Sequence, residues 1–144
     1  MTQEEREKEK ELLLNVLKDG LPYGLQLQIT DVNGFTFNGE LQVLSKNWCR
    51  LNIDDPVKRA KVKNQTIPLN YIYIKPYLRP MSSMTEEEEK EFVLLTDTML
   101  RYGKDNNLCC LSLDAIQWLL KNHFDFMGLI PMGLALEAPK DMYN

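Results

Sequence analysis

His123, Cys49, Cys109 and Cys110 are the side chains most able to act as base, nucleophile or soft metal ligand near neutral pH. A single histidine means that any Cys–His or Ser–His pair must use His123. It falls at an expected helix end with Phe124 and Phe126 beside it, which favours a structural imidazole packed among aromatics. An enzyme of unrecognised type built around His123 and Cys109 is therefore the third-ranked reading. A zinc site would have to draw on Cys49, Cys109, Cys110 and His123, and these lack the close ligand pairs that zinc sites use. Three cysteines without C-x-x-C spacing argue for reduced thiols, and the adjacent Cys109 and Cys110 are poorly placed to bridge each other. Glu86 to Glu89 occupy consecutive helical positions, which spread round an axis and do not converge on an ion. Glycine-rich phosphate loops and EF-hand patterns do not occur in the sequence. Neither catalysis, nor a cofactor, nor a metal is expected.

A second constellation is basic. Lys46, Trp48, Arg50, Lys58, Arg59, Lys61 and Lys63 lie within one strand-rich stretch and could track phosphates beside an aromatic platform. The net charge of −4 is uneven: residues 1–20 carry −2, residues 21–81 carry +4 and residues 82–144 carry −6. Lysines on an edge strand also guard against aggregation, and the sequence pI of about 5.1 opposes strong nucleic-acid binding. Nucleic-acid binding by a small barrel is thus the alternative to a protein partner.

The elements that must position these residues follow from periodicity. Thr2 and Glu5 have capping-box spacing, and Leu13, Val16 and Leu17 form one stripe, predicting a helix within residues 1–20 that stops at Gly20. The period then becomes two. Leu25, Leu27 and Ile29 alternate with polar residues, and Asn33-Gly34 signals a type I′ hairpin. Gly39 allows a bulge or bend, while Cys49, Leu51 and Ile53 oppose Trp48, Arg50 and Asn52. Ile72 and Ile74 close a β region over residues 24–75, expected as a small bent antiparallel sheet or half-open barrel of SH3-like size.

Residues 74–92, IKPYLRPMSSMTEEEEKEF, read as a joint. Pro76 and Pro80 should end the strand near Lys75 and leave an extended connector over 76–84. Thr85 and Glu88 supply another capping box, with acidic residues at the positive end of a helix dipole. Tyr77 and Arg79 on that connector are candidate partner anchors. Helices follow over 85–135, with Ser112 as an N-cap and Ile116, Leu119 and Leu120 on a buried face. Asp125 is placed to cap a short last helix, and the apolar tail 136–144 should dock on the body.

The connector and the segment HFDFMGLIPMGLALEAPKDMYN together resemble a family of short, uncharacterised proteins of gut anaerobes, often encoded in prophage-like or mobile regions. The resemblance implies a small α+β protein with no assigned activity, so it carries over no catalytic residues. Relatives tend to show a second histidine beside the first, where this chain has Asn122.

The expectation is one α+β domain over residues 1–144, with the C-terminal helices packed on the sheet. It would act as a non-catalytic protein-interaction or accessory module, monomeric or weakly dimeric. No apolar run approaches the roughly 20 residues of a membrane helix, and the charged N-terminus lacks the order of a signal peptide, so a cytoplasmic setting is expected.

Overall fold

The computed structural model describes residues 2–31, 33–55, 60–69, 73–102 and 113–143, without side-chain detail at 55, 60–62 and 96–102. Helix α1 (Gln3–Gly20) begins at the expected capping box: the Glu5 N–H donates to Thr2 Oγ1 at 3.2 Å, and the Thr2 N–H donates to Glu5 Oε2 at 3.0 Å. Helix α1 ends at Gly20, as expected. A single 3-10 turn, Leu21–Tyr23, continues from it, and the left-handed stop falls on Gly24 (φ 71°).

Five strands run antiparallel in sequence: β1 (Gln26–Thr30), β2 (Thr36–Leu44), β3 (Trp48–Asp55), β4 (Ala60–Pro68) and β5 (Tyr73–Leu78). A two-residue strand, β6 (Leu136–Glu137), adds to β5 in parallel. The order is β4-β3-β2-β1-β5-β6, an open mixed sheet and not a closed barrel. Helices α2 (Glu86–Tyr102) and α3 (Leu113–Lys121) complete an α+β fold.

Alternation places Leu25, Leu27 and Ile29 in a core with Leu41, Cys49 and Leu51, and α1 closes it with Leu17. Helix α3 meets α2 and α1, and the segment after it delivers Leu129 and Ala135 into the sheet's core. Ser112, the expected cap of α3, lies outside the described residues.

Three expectations need correction. The β1–β2 turn closes one residue earlier than a type I′ turn centred on Asn33-Gly34 would: the Gly34 N–H donates to Asp31 O at 3.0 Å, the Asp31 N–H donates to Phe35 O at 2.9 Å, and Gly34 is left-handed (φ 84°). Asp31 organises it, with Oδ1 accepting from the N–H groups of Asn33 and Phe35 and the main-chain oxygen accepting from Gly34. Gly39 is not the bulge, which lies between Leu41 and Val43. Gly39 is needed for close approach instead, since a Cβ there would stand 3.0 Å from the main-chain oxygen of Asn52.

The third correction concerns Pro76. It does not end the last long strand but sits fully buried inside β5, opposite Leu27. On its other side β5 meets, among the described residues, only β6, at Tyr77 and Leu78, so no described strand there requires a proton from position 76.

Candidate functional site

The connector and the C-terminal segment are knitted into one polar–aromatic cluster. Helix α3 ends in a Schellman motif: the Phe124 N–H donates to Leu119 O at 2.9 Å, and the His123 N–H donates to Leu120 O at 3.1 Å. His123 takes the left-handed position (φ 61°) usually given to glycine. Its carbonyl accepts from the Arg79 N–H at 2.7 Å, and Arg79 O accepts from the Asp125 N–H at 2.8 Å. The Asp125 carboxylate then caps a turn, accepting from the N–H groups of Leu129 (2.7 Å) and Ile130 (2.9 Å). The capping expected of Asp125 is present, but the chain beyond it forms turns and no helix.

Arg79 also pairs with Glu88, its two terminal nitrogens at 2.7 and 2.6 Å from the carboxylate oxygens. That guanidinium holds Glu88 down to about 2. It also lies 4.2 Å from the Phe124 ring centre, while Trp118 stacks between Phe92 and Phe124. Tyr77 is buried, its hydroxyl donating to Asn38 Oδ1 at 2.8 Å. The two anchors expected to meet a partner thus both have contacts inside the chain: Tyr77 is packed in β5, and Arg79, just beyond β5 and bridged to Phe124, pairs with Glu88.

Tyr143, which the sequence reading did not single out, completes the cluster. Its ring stacks on His123 with centroids 3.6 Å apart. Its hydroxyl accepts from the Gln26 N–H at 2.9 Å and donates to Tyr77 O at 2.7 Å, joining β1 and β5 one pair beyond their ladder at Leu27 and Pro76. Burial pushes the hydroxyl above its ordinary value, so it stays a donor.

His123 is buried, and burial, with the Arg79 charge behind it, lowers its imidazole to about 4, so the ring is neutral at pH 7. Burial likewise pushes the Cys49 thiol up to about 11. Cys109 and Cys110 lie outside the described residues, so a His123–Cys109 pair cannot be built from this geometry. Among the described residues no group of three or more His, Cys, Asp or Glu side chains is placed to hold a metal ion.

The basic constellation divides. Lys46 and Lys63 are exposed, and Arg50 lies with its guanidinium 5.7 Å from the Trp48 ring centre. Lys61 occupies the register position opposite Asp54, while Lys58 and Arg59 lie outside the described residues. Trp48 therefore already carries a cation, and Lys61 is registered against an acidic residue.

A different surface offers an apolar opening. Between α1 and the start of β5 runs a groove of about 480 Å³, floored by Leu13, Leu14, Ile74 and Leu134. Tyr73 stands on its rim with 77% of its surface exposed, large for an aromatic. The rim charges are Arg6, Lys10 and Lys75 against Glu9. Tyr73 and the buried Ile74 alternate along β5, and the groove depends on where α1 and the segment at Leu134 meet that strand.

The fold and this groove define a small α+β protein with an open sheet and an apolar, cation-rimmed surface channel. No family model, curated protein or solved structure matches the chain. Among the described residues no helix is long and apolar enough to cross a membrane.

Proposed function

We propose that this protein is a non-catalytic interaction module that receives an acidic, amphipathic peptide segment of a protein partner in the groove between α1 and β5. The observation that carries this reading is the groove itself: a leucine and isoleucine floor, an exposed tyrosine on the rim, and three cations facing one anion. An apolar centre with an aromatic anchor and a charged rim is the usual anatomy of a protein-binding surface. The excess of positive charge on the rim selects a segment whose apolar anchor is flanked by Asp or Glu. The nucleic-acid reading has less support, because Arg50 already covers Trp48. Catalysis around His123 has less support as well, since the ring is buried and stacked on Tyr143.

The reading is tested by selecting a displayed random-peptide library on the full chain, with counter-selection on Tyr73→Ala. Enriched peptides are expected to carry an apolar anchor between acidic residues and to bind Tyr73→Ala at least about tenfold more weakly. Enrichment of basic or uncharged peptides, or of peptides indifferent to Tyr73, would overturn it.

A further inference from the structure

The sequence contains two Asn-Gly pairs, Asn33-Gly34 and Asn38-Gly39, and neither lines the peptide groove. In this dipeptide the asparagine side chain is open to attack by the next main-chain nitrogen, because glycine neither hinders the approach nor restricts the backbone. The fold puts the two pairs in opposite settings. Asn38 and Gly39 lie inside β2, in register with β1 on one side and β3 on the other. Gly39 is buried, and Asn38 Oδ1 accepts from the Tyr77 hydroxyl at 2.8 Å. To bring its amide carbon onto the Gly39 nitrogen, Asn38 would have to leave both ladders. Asn33 and Gly34 instead form the tip of the β1–β2 turn. Both are exposed, Phe35 after them is 70% exposed, and a Cβ on Gly34 would meet nothing within 4 Å. What holds the tip is Asp31, whose Oδ1 accepts from the N–H groups of Asn33 and Phe35 and whose main-chain oxygen accepts from the Gly34 N–H at 3.0 Å. Local, solvent-exposed bonds of this kind are the first to open.

We infer that Asn33 is a site of spontaneous modification, where water replaces the side-chain ammonia through a cyclic imide with Gly34, while Asn38 in the same chain is spared. When Asp31 O releases the Gly34 N–H, hydroxide removes that proton and the Gly34 nitrogen attacks Asn33 Cγ. A carbon–nitrogen bond forms, the bond to the side-chain nitrogen breaks, and that nitrogen leaves as ammonia with a proton from water. Water then opens either carbonyl of the imide, leaving position 33 as an aspartate or an isoaspartate. Water is consumed and ammonia released, and nothing is oxidised or reduced. Both products place a new carboxylate two positions from Asp31, and the isoaspartate also adds a methylene to the main chain where Asp31 holds the turn. The turn thus records the age of each copy of the protein as an irreversible change of charge. The site is independent of the peptide groove, so either can fail without the other.

The full chain is incubated at neutral and at mildly alkaline pH in heavy-oxygen water, and each asparagine is read by peptide mass spectrometry with fragmentation that separates aspartate from isoaspartate. The incoming water oxygen marks conversions that occur during the incubation. In the folded chain Asn33 is expected to convert at least about tenfold faster than Asn38, since a turn tip opens at far less cost than an interior strand. The rate at Asn33 should rise in proportion to hydroxide, and isoaspartate should be among the products. The same chain unfolded in denaturant should convert both sites at comparable rates, which assigns the difference to the fold and not to the neighbouring residues. Equal rates in the folded chain, conversion at Asn38 first, or an Asn33 that converts only in denaturant would overturn the proposal. So would a difference that persists in denaturant, a rate indifferent to pH, or a product free of isoaspartate.

Discussion

Tyr143 and His123 set the chemistry at the scale of single residues. The Tyr143 hydroxyl replaces a ladder bond between two strands, and no sequence pattern announces a contact that spans 117 positions. Tyr143→Phe keeps the stack on His123 but leaves the Gln26 N–H and Tyr77 O without that bridge. It should cost about 1–3 kcal/mol by chemical denaturation. His123 and Glu88 give the fold its acid sensitivity. The His123 imidazole falls from an ordinary 6.5 to about 4, so the unfolded chain binds the extra proton first and stability is lost as pH falls from 6.5 towards 4. Glu88 falls from 4.5 to about 2, so its pairing with Arg79 contributes above 4.5 and is lost as pH falls towards 2. His123→Asn, which tolerates the left-handed backbone, should flatten the upper limb of the stability profile. Glu88→Gln should flatten the lower limb. An unchanged slope in either window would contradict the assignment.

The elements were legible where their signals are local. Both capping boxes were, since Thr2–Glu5 and Thr85–Glu88 are three residues apart and the bonds form within one turn. The alternation of Leu25, Leu27 and Ile29 gave β1, and that of Cys49, Leu51 and Ile53 gave the buried face of β3, because a half-buried strand must alternate. Pro76 was misread because its tolerance depends on how little of β5 its second neighbour covers. Strand β6 was invisible, being two residues long and paired in parallel with a strand about sixty positions earlier. The groove was not legible either, since it is made where three distant segments meet. Gly39 shows how the signal can be right and its cause wrong: the glycine matters for approach to β3, not for a bulge. Gly39→Ala should push Asn52 O away and cost about 1–3 kcal/mol in a thermal or denaturant melt. A neutral result would mean that β2 and β3 can part by a few tenths of an ångström without loss.

The whole molecule carries a net charge of −4, so the attraction for an acidic segment is local to the groove. The central segment carries +4, the C-terminal segment −6, and the groove gathers cations from both α1 and β5. An acidic segment arriving there is drawn by the rim and retained by the apolar floor, so its affinity should weaken with salt without vanishing. The direct measurement is a charge swap: binding of a selected acidic peptide, and of the same peptide with its acidic flanks changed to lysine, to the native chain and to Lys10→Glu/Lys75→Glu. The account predicts that the double variant loses the acidic peptide by at least about tenfold and gains the lysine-flanked one by a similar factor. Equal binding of both peptides to both proteins would contradict it.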